Sequence, residues 1–142
     1  MNLRVLGFAV GLVLVTGCDS KVEQCNAFID EANDSQNAYV ALEAAIQSPA
    51  SIKQRTDQLD ASSKKMKELK LADAKLKDFR DRYVTQTDDF SAGMKKIAAL
   101  QGKTGHDPAD GEAAKIGKDL DDLAEKQDKL IADINLYCAG VK

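Results

Sequence analysis

A chain of 142 residues, with 30% charged side chains, 5% aromatic ones and a formal net charge of −3, has room for one domain and not comfortably for two. It is too apolar for a disordered segment, and too rich in Ala, Lys, Asp and Leu for a β-sandwich, so an all-α fold is expected. The acidic balance argues against nucleic acid as a partner, because that binding rests on neutralising phosphates with Lys and Arg.

The first element is MNLRVLGFAVGLVLVTGC, residues 1–18. Arg4 gives it a basic start, and residues 5–15 form an uncharged apolar run. That run falls short of the roughly 20 residues a permanent membrane span needs, and it has the layout of an export signal. It ends in Val15-Thr16-Gly17-Cys18: an aliphatic residue and two small ones ahead of a cysteine. This resembles the lipobox of bacterial lipoproteins. The resemblance implies that residues 1–17 are a cleaved signal peptide and that the Cys18 thiol receives a diacylglycerol. Cys18 then becomes the fatty-acylated (typically palmitoylated) mature N-terminus. Each buried methylene contributes about 0.8 kcal/mol, and two or more chains give a stable anchor. The organisation expected is a signal peptide over 1–17, a lipidated tether over 18–23 and a helical bundle domain over 24–142. Such a protein sits in the cell envelope, anchored to a membrane and facing the periplasm or the exterior, with inner and outer membrane both open.

With Cys18 assigned to lipid, Cys25 and Cys138 remain. In an oxidising compartment two remaining thiols are expected as a disulfide.

The helical elements follow. Residues 22–47 contain no Gly or Pro, and Cys25, Ile29, Ala32, Gln36, Tyr39 and Ile46 fall on one face. Ser48-Pro49 reads as an N-cap and first turn, opening a second helix with Ile52, Leu59, Ser63, Met66 and Leu69 inward. Leu71-Ala72-Asp73 is a soft boundary with Asp73 as cap. A third helix carries Leu76, Phe79, Tyr83, Gln86, Phe90, Met94 and Ile97. Residues 101–110, with two Gly and a Pro, form the clearest loop, and Asp107-Pro108 restarts the chain. The fourth helix places Ile116, Leu120, Leu123, Gln127, Leu130, Ile134 and Tyr137 at alternating four- and three-residue steps, the seam of a left-handed bundle, and Gly140 closes it. No internal repeat is evident.

These elements predict an antiparallel up-down-up-down four-helix bundle, which brings Cys25 beside Cys138. A single rod replacing helices 2 and 3 would leave only two helices at most levels and bury little. In the bundle register Gln36 faces Gln127, with Gln86 at a similar height, so a buried polar layer near mid-bundle is expected. It would either fix register by hydrogen bonding or line a small-ligand site. Residues 64–82 hold eight basic against four acidic side chains, whereas 107–135 hold nine acidic against four lysines. The basic turn would lie at the lipid end, either as a solvated face or against anionic head groups.

Catalytic and cofactor signatures are missing. His106 is the one histidine, and no Glu-x-x-His pair, Cys-x-x-Cys-His haem site, zinc cluster or phosphate-cradling glycine loop occurs. No enzyme activity, cofactor or metal is expected. The expected function is a non-enzymatic envelope lipoprotein whose bundle binds an envelope protein partner or serves as a structural or accessory module. One alternative is a peptidoglycan tether through Lys142, since the major murein lipoprotein also ends in Lys. Another is a small-ligand carrier using the polar layer. Gln24-Cys25-Asn26 with Ile134-Asn135-Leu136-Tyr137-Cys138 is similar to the ends of small helical envelope lipoproteins, a group that implies no activity.

Overall fold

The computed structural model describes residues 20–43, 48–104 and 111–140. Four helices run up-down-up-down: α1 (Lys21–Glu43), α2 (Pro49–Glu68), α3 (Ala74–Thr104) and α4 (Gly111–Ala139). α2 packs along α1 and α3, and α3 packs along α4. α1 meets α3 and α4 only sparsely, and α2 and α4 lie across the diagonal. Among the described residues no helix is long and apolar enough to cross a membrane.

Local chemistry sets most helix starts. Ser20 and Glu23 form a reciprocal capping box: the Ser20 N–H donates to Glu23 Oε2 at 2.6 Å, and the Glu23 N–H donates to Ser20 Oγ at 3.2 Å. Helix α1 therefore begins at Lys21, so residues 21–23, expected as part of a tether, are helical instead. Pro49 opens α2 after an extended Ser48 (φ −143°, ψ 125°), but the Ser48 hydroxyl makes no cap hydrogen bond. Asp73 caps α3, its Oδ1 accepting from the Lys75 and Leu76 N–H groups at 2.9 Å each. α3 continues to Thr104, so the first four residues of the expected 101–110 loop are helical instead. His106, the Asp107-Pro108 restart, Ile46, Lys142 and residues 1–18, Cys18 included, lie outside the described residues.

The turn between α2 and α3 contains neither Gly nor Pro, and its causes are tertiary. After Leu69 turns extended (φ −59°, ψ 124°), Gln24 of α1 reaches over, and its Oε1 accepts the N–H groups of Ala72 at 2.6 Å and Asp73 at 3.0 Å. Leu71 is buried beneath. Tyr137 of α4 donates its hydroxyl to the Asp73 carboxylate at 3.0 Å. Two helices thus satisfy the backbone and side-chain groups that a continuous rod would have used internally.

The same end carries the Cys25–Cys138 disulfide, with Cα atoms 5.7 Å apart across a sequence separation of 113. Chain entropy assigns such a closure about 4–5 kcal/mol. Phe79 meets Tyr137 edge-on at 5.7 Å, and Lys21 Nζ stands 3.9 Å above the Tyr137 ring.

Two apolar cores fill the bundle. The one at the disulfide end includes Phe28, Met66, Leu76, Phe79, Tyr83, Leu130 and Ile134; the distal one includes Ile52, Leu59, Met94, Ile97 and Leu120. The inward face of α1 is rotated from that expected: Phe28 is fully buried, while Ile29 is only half-buried. On α3 the buried stripe runs Tyr83, Thr87, Ser91, Met94, leaving Gln86 and Phe90 half-buried at its flank. α3 and α4 approach closely at Gly93, where an added Cβ would lie 2.7 Å from Leu120 Cδ2.

α2 and α3 are also joined by a device that shows a short internal repeat after all. The pattern Asp-x-x-Ser-x-x-Met-Lys occurs as Asp60, Ser63, Met66, Lys67 and again as Asp88, Ser91, Met94, Lys95. Because the helices are antiparallel, each copy clamps the other. Ser63 Oγ and Lys67 Nζ donate to Asp88 at 2.6 and 2.8 Å. Ser91 Oγ and Lys95 Nζ donate to Asp60, the serine at 2.6 Å. Both serines are buried and both lysines exposed.

Candidate functional site

Between the two cores lies a waist of small polar side chains. Ser35, Ser62, Ser63, Thr87 and Ser91 are all buried there. Ser62 donates to Glu31 Oε1 at 2.7 Å, which leaves its oxygen to accept the Ser35 hydroxyl. Tyr83 spans the level from α3, donating its hydroxyl to the Ala32 carbonyl at 3.2 Å. Burial pushes the Tyr83 phenol above its ordinary pKa, with the Ser35 and Gln127 side chains alongside opposing the shift. A polar layer therefore exists at mid-bundle, but hydroxyls rather than glutamines make its hydrogen bonds. These hydroxyls carry a faint sequence signal: they are small polar residues lying on otherwise apolar faces. Their partners sit on other helices, so spacing alone could not assign them.

The three glutamines behave differently. Gln127 is buried at 4% exposure, and Gln36 and Gln86 are half-buried. Gln36 Oε1, Gln86 Oε1 and both amide atoms of Gln127 are buried without a hydrogen-bond partner. These amide atoms do not bond to one another. An orphaned buried polar group costs about 1–3 kcal/mol, so each such atom calls for an explanation.

Gln36 and Gln127 do come together, lining one groove where α1 and α4 splay apart; Gln86 is not part of it. The groove has a volume of about 330 Å³, within the range of small-molecule sites. α1 contributes Tyr39 and Val40, α3 contributes Phe90 and Met94, and α4 contributes Leu120 and Ala124. The Tyr39 and Phe90 rings meet edge-on at 4.6 Å. Burial drives the Tyr39 phenol pKa well upward, against the neighbouring Thr87 hydroxyl, so the ring stays neutral. Val40 is 62% exposed at the rim, an apolar side chain with no cover. Asp121 and Asp128 complete the lining, which contains no Lys or Arg.

Among the described residues no group of three or more His, Cys, Asp or Glu side chains is gathered as a metal site. No protein-family model matches the chain, and no curated protein or solved structure matches it.

Proposed function

We propose that the chain is a lipid-anchored lipoprotein of the bacterial envelope whose four-helix bundle is a non-enzymatic module for binding an envelope partner or for structural support. The observation that carries the reading is Val15-Thr16-Gly17-Cys18 behind an apolar run, followed at once by the Ser20–Glu23 capping box. A chain acylated at Cys18 would pass into helix after residue 20, a tether of about 10 Å at roughly 3.5 Å per residue. The bundle would then stand with its disulfide end toward the lipid. At that end Val22 and Leu136 are 44% and 77% exposed, and the basic stretch 64–82 turns there. Lys and Arg near an anionic leaflet contribute about 1 kcal/mol each. Because the disulfide holds Cys138 beside Cys25, a wall link through Lys142 would leave from the membrane side of the bundle, which makes the tether alternative the weaker one.

The test is fractionation with a labelled fatty acid. The wild-type chain is expected in the membrane fraction and labelled, and Cys18→Ser unlabelled and released. A Cys18→Ser chain that stays membrane-bound and labelled contradicts the reading.

A further inference from the structure

The groove between α1, α3 and α4 pairs a greasy interior with hydrogen-bonding atoms that nothing in the fold satisfies. Gln127, 4% exposed, carries both amide atoms unpartnered, and Gln36 adds an unpartnered Oε1 on the opposite wall. The Tyr83 hydroxyl near Gln127 gives its proton to the Ala32 carbonyl, so it cannot donate to Gln127 Oε1. Side-chain packing alone would favour leucine or methionine at such positions, since an apolar replacement removes the desolvation cost of an unmet amide.

The chemistry of the occupant follows from the balance of groups. Each glutamine amide carries one carbonyl and one NH₂ group, so these side chains alone do not set the sign of the occupant's charge. Asp121 and Asp128 add negative charge, and no basic side chain lines the groove. The faces and edges of Tyr39 and Phe90 supply both apolar area and π density. An anionic head would meet repulsion from the two carboxylates with no basic side chain to offset it, whereas a cationic head would find carboxylates and aromatic rings together. We propose that this groove binds a small organic ammonium compound. Its head lies within the field of Asp121 and Asp128, its N–H groups donating to Gln36 Oε1 and Gln127 Oε1 once those buried amides turn toward the groove, and its apolar body packs on Tyr39 and Phe90. A volume of about 330 Å³ suits a single ring or a short alkyl chain. The inference stands apart from lipidation and gives the ligand-carrier alternative a site and a substrate class.

The experiment is a titration of the full-length chain, disulfide intact, with 2-phenylethylamine, 2-phenylethanol and phenylacetate, followed by NMR of the glutamine side-chain and groove backbone amides. The ammonium probe is expected to bind saturably, shift the Gln36 and Gln127 amides, and bind at least about tenfold more tightly than phenylacetate. Raising salt should narrow that gap, because Asp121 and Asp128 are exposed. Gln127→Leu should weaken the ammonium probe about tenfold while thermal unfolding stays unchanged or rises. Gln36→Met, at a half-buried position, serves as the second variant and should act in the same direction. Cys18→Ser should bind as wild type, which separates this result from the fate of the lipid anchor. Phenylacetate binding equal to or tighter than the amine overturns the proposal, as does a failure of the amine to saturate. Concentration-dependent shifts of the same amides without any probe also overturn it, because a second copy of the chain would then occupy the groove.

Discussion

Asp73 shows how much one side chain can organise. Its carboxylate caps α3 through the Lys75 and Leu76 N–H groups and receives the Tyr137 hydroxyl from α4. The Leu76 N–H first, then Tyr137 and the Lys75 N–H, hold its pKa below the ordinary aspartate range against the cost of burial. A folded pKa below the unfolded value of about 3.9 means that the charged form is favoured by folding. Its stabilisation is therefore complete above about pH 4 and is lost as pH falls through the folded pKa. Asp73→Ala should cost about 1 kcal/mol at pH 7, and the difference from wild type should shrink toward pH 2 in urea titrations. An undiminished difference at acid pH would mean that the charge is irrelevant. Gln24 belongs to the same turn. Gln24→Leu removes the acceptor for the Ala72 and Asp73 N–H groups and should destabilise by about 1–3 kcal/mol, read from the denaturation midpoint. Asp73 could be identified as a cap from sequence because its partners are two and three residues away. Gln24 could not, because the groups it satisfies lie in a turn almost fifty positions further along.

At the level of helices, the fold rests on paired seams rather than on one continuous core. The α2–α3 seam is fixed by the two Asp-Ser-Lys clamps, in which a buried serine bond is flanked by an exposed ion pair. Exposed pairs contribute about 0–1 kcal/mol, so most of each clamp's effect belongs to the serine. A double-mutant cycle on Ser63→Ala and Asp88→Ala should return a coupling of about 0.5–1.5 kcal/mol, whereas Lys67→Ala should change stability by less than about 1 kcal/mol. Coupling indistinguishable from zero in the serine cycle would remove the clamp from the account. Helix number and order, and the starts of α2 and α3, were legible in the sequence, because Pro49, Asp73 and the 4-3 spacing of α4 act locally. The repeat of Asp60-Ser63-Met66-Lys67 at Asp88-Ser91-Met94-Lys95 was also present in the sequence, but polar residues on a helix read as solvated until an antiparallel neighbour supplies the other half. The rotation of α1 toward Phe28 arises similarly. The α1 stripe mixes small and polar residues, so its spacing weakly specifies a face, and the large ring takes the space against Tyr83, whose ring lies 6.1 Å away.

For the molecule as a whole, two small cores and a polar waist leave stability dependent on the covalent closure at one end. Replacing Cys25 and Cys138 together by Ser should cost about 2–5 kcal/mol, seen as a lower urea midpoint. A midpoint unchanged by the double replacement would show that the closure constrains nothing. The disulfide could be anticipated because topology alone brings the ends together. The groove could be anticipated only in part: the heights of Gln36 and Gln127 follow from register, while the splay of α1 from α4 depends on packing that the sequence does not display. The disulfide end gathers exposed Val22 and Leu136, the short approach to Ser20 and the turn of the basic stretch, and it is this end that the proposed anchor would set on the lipid surface. The most direct measurement is the intact mass of the protein isolated from its producing cells. A chain beginning at Cys18 is expected, heavier than its residues by a diacylglycerol with or without a further acyl chain. A mass that retains residues 1–17, or a processed chain with no lipid on Cys18, would contradict it.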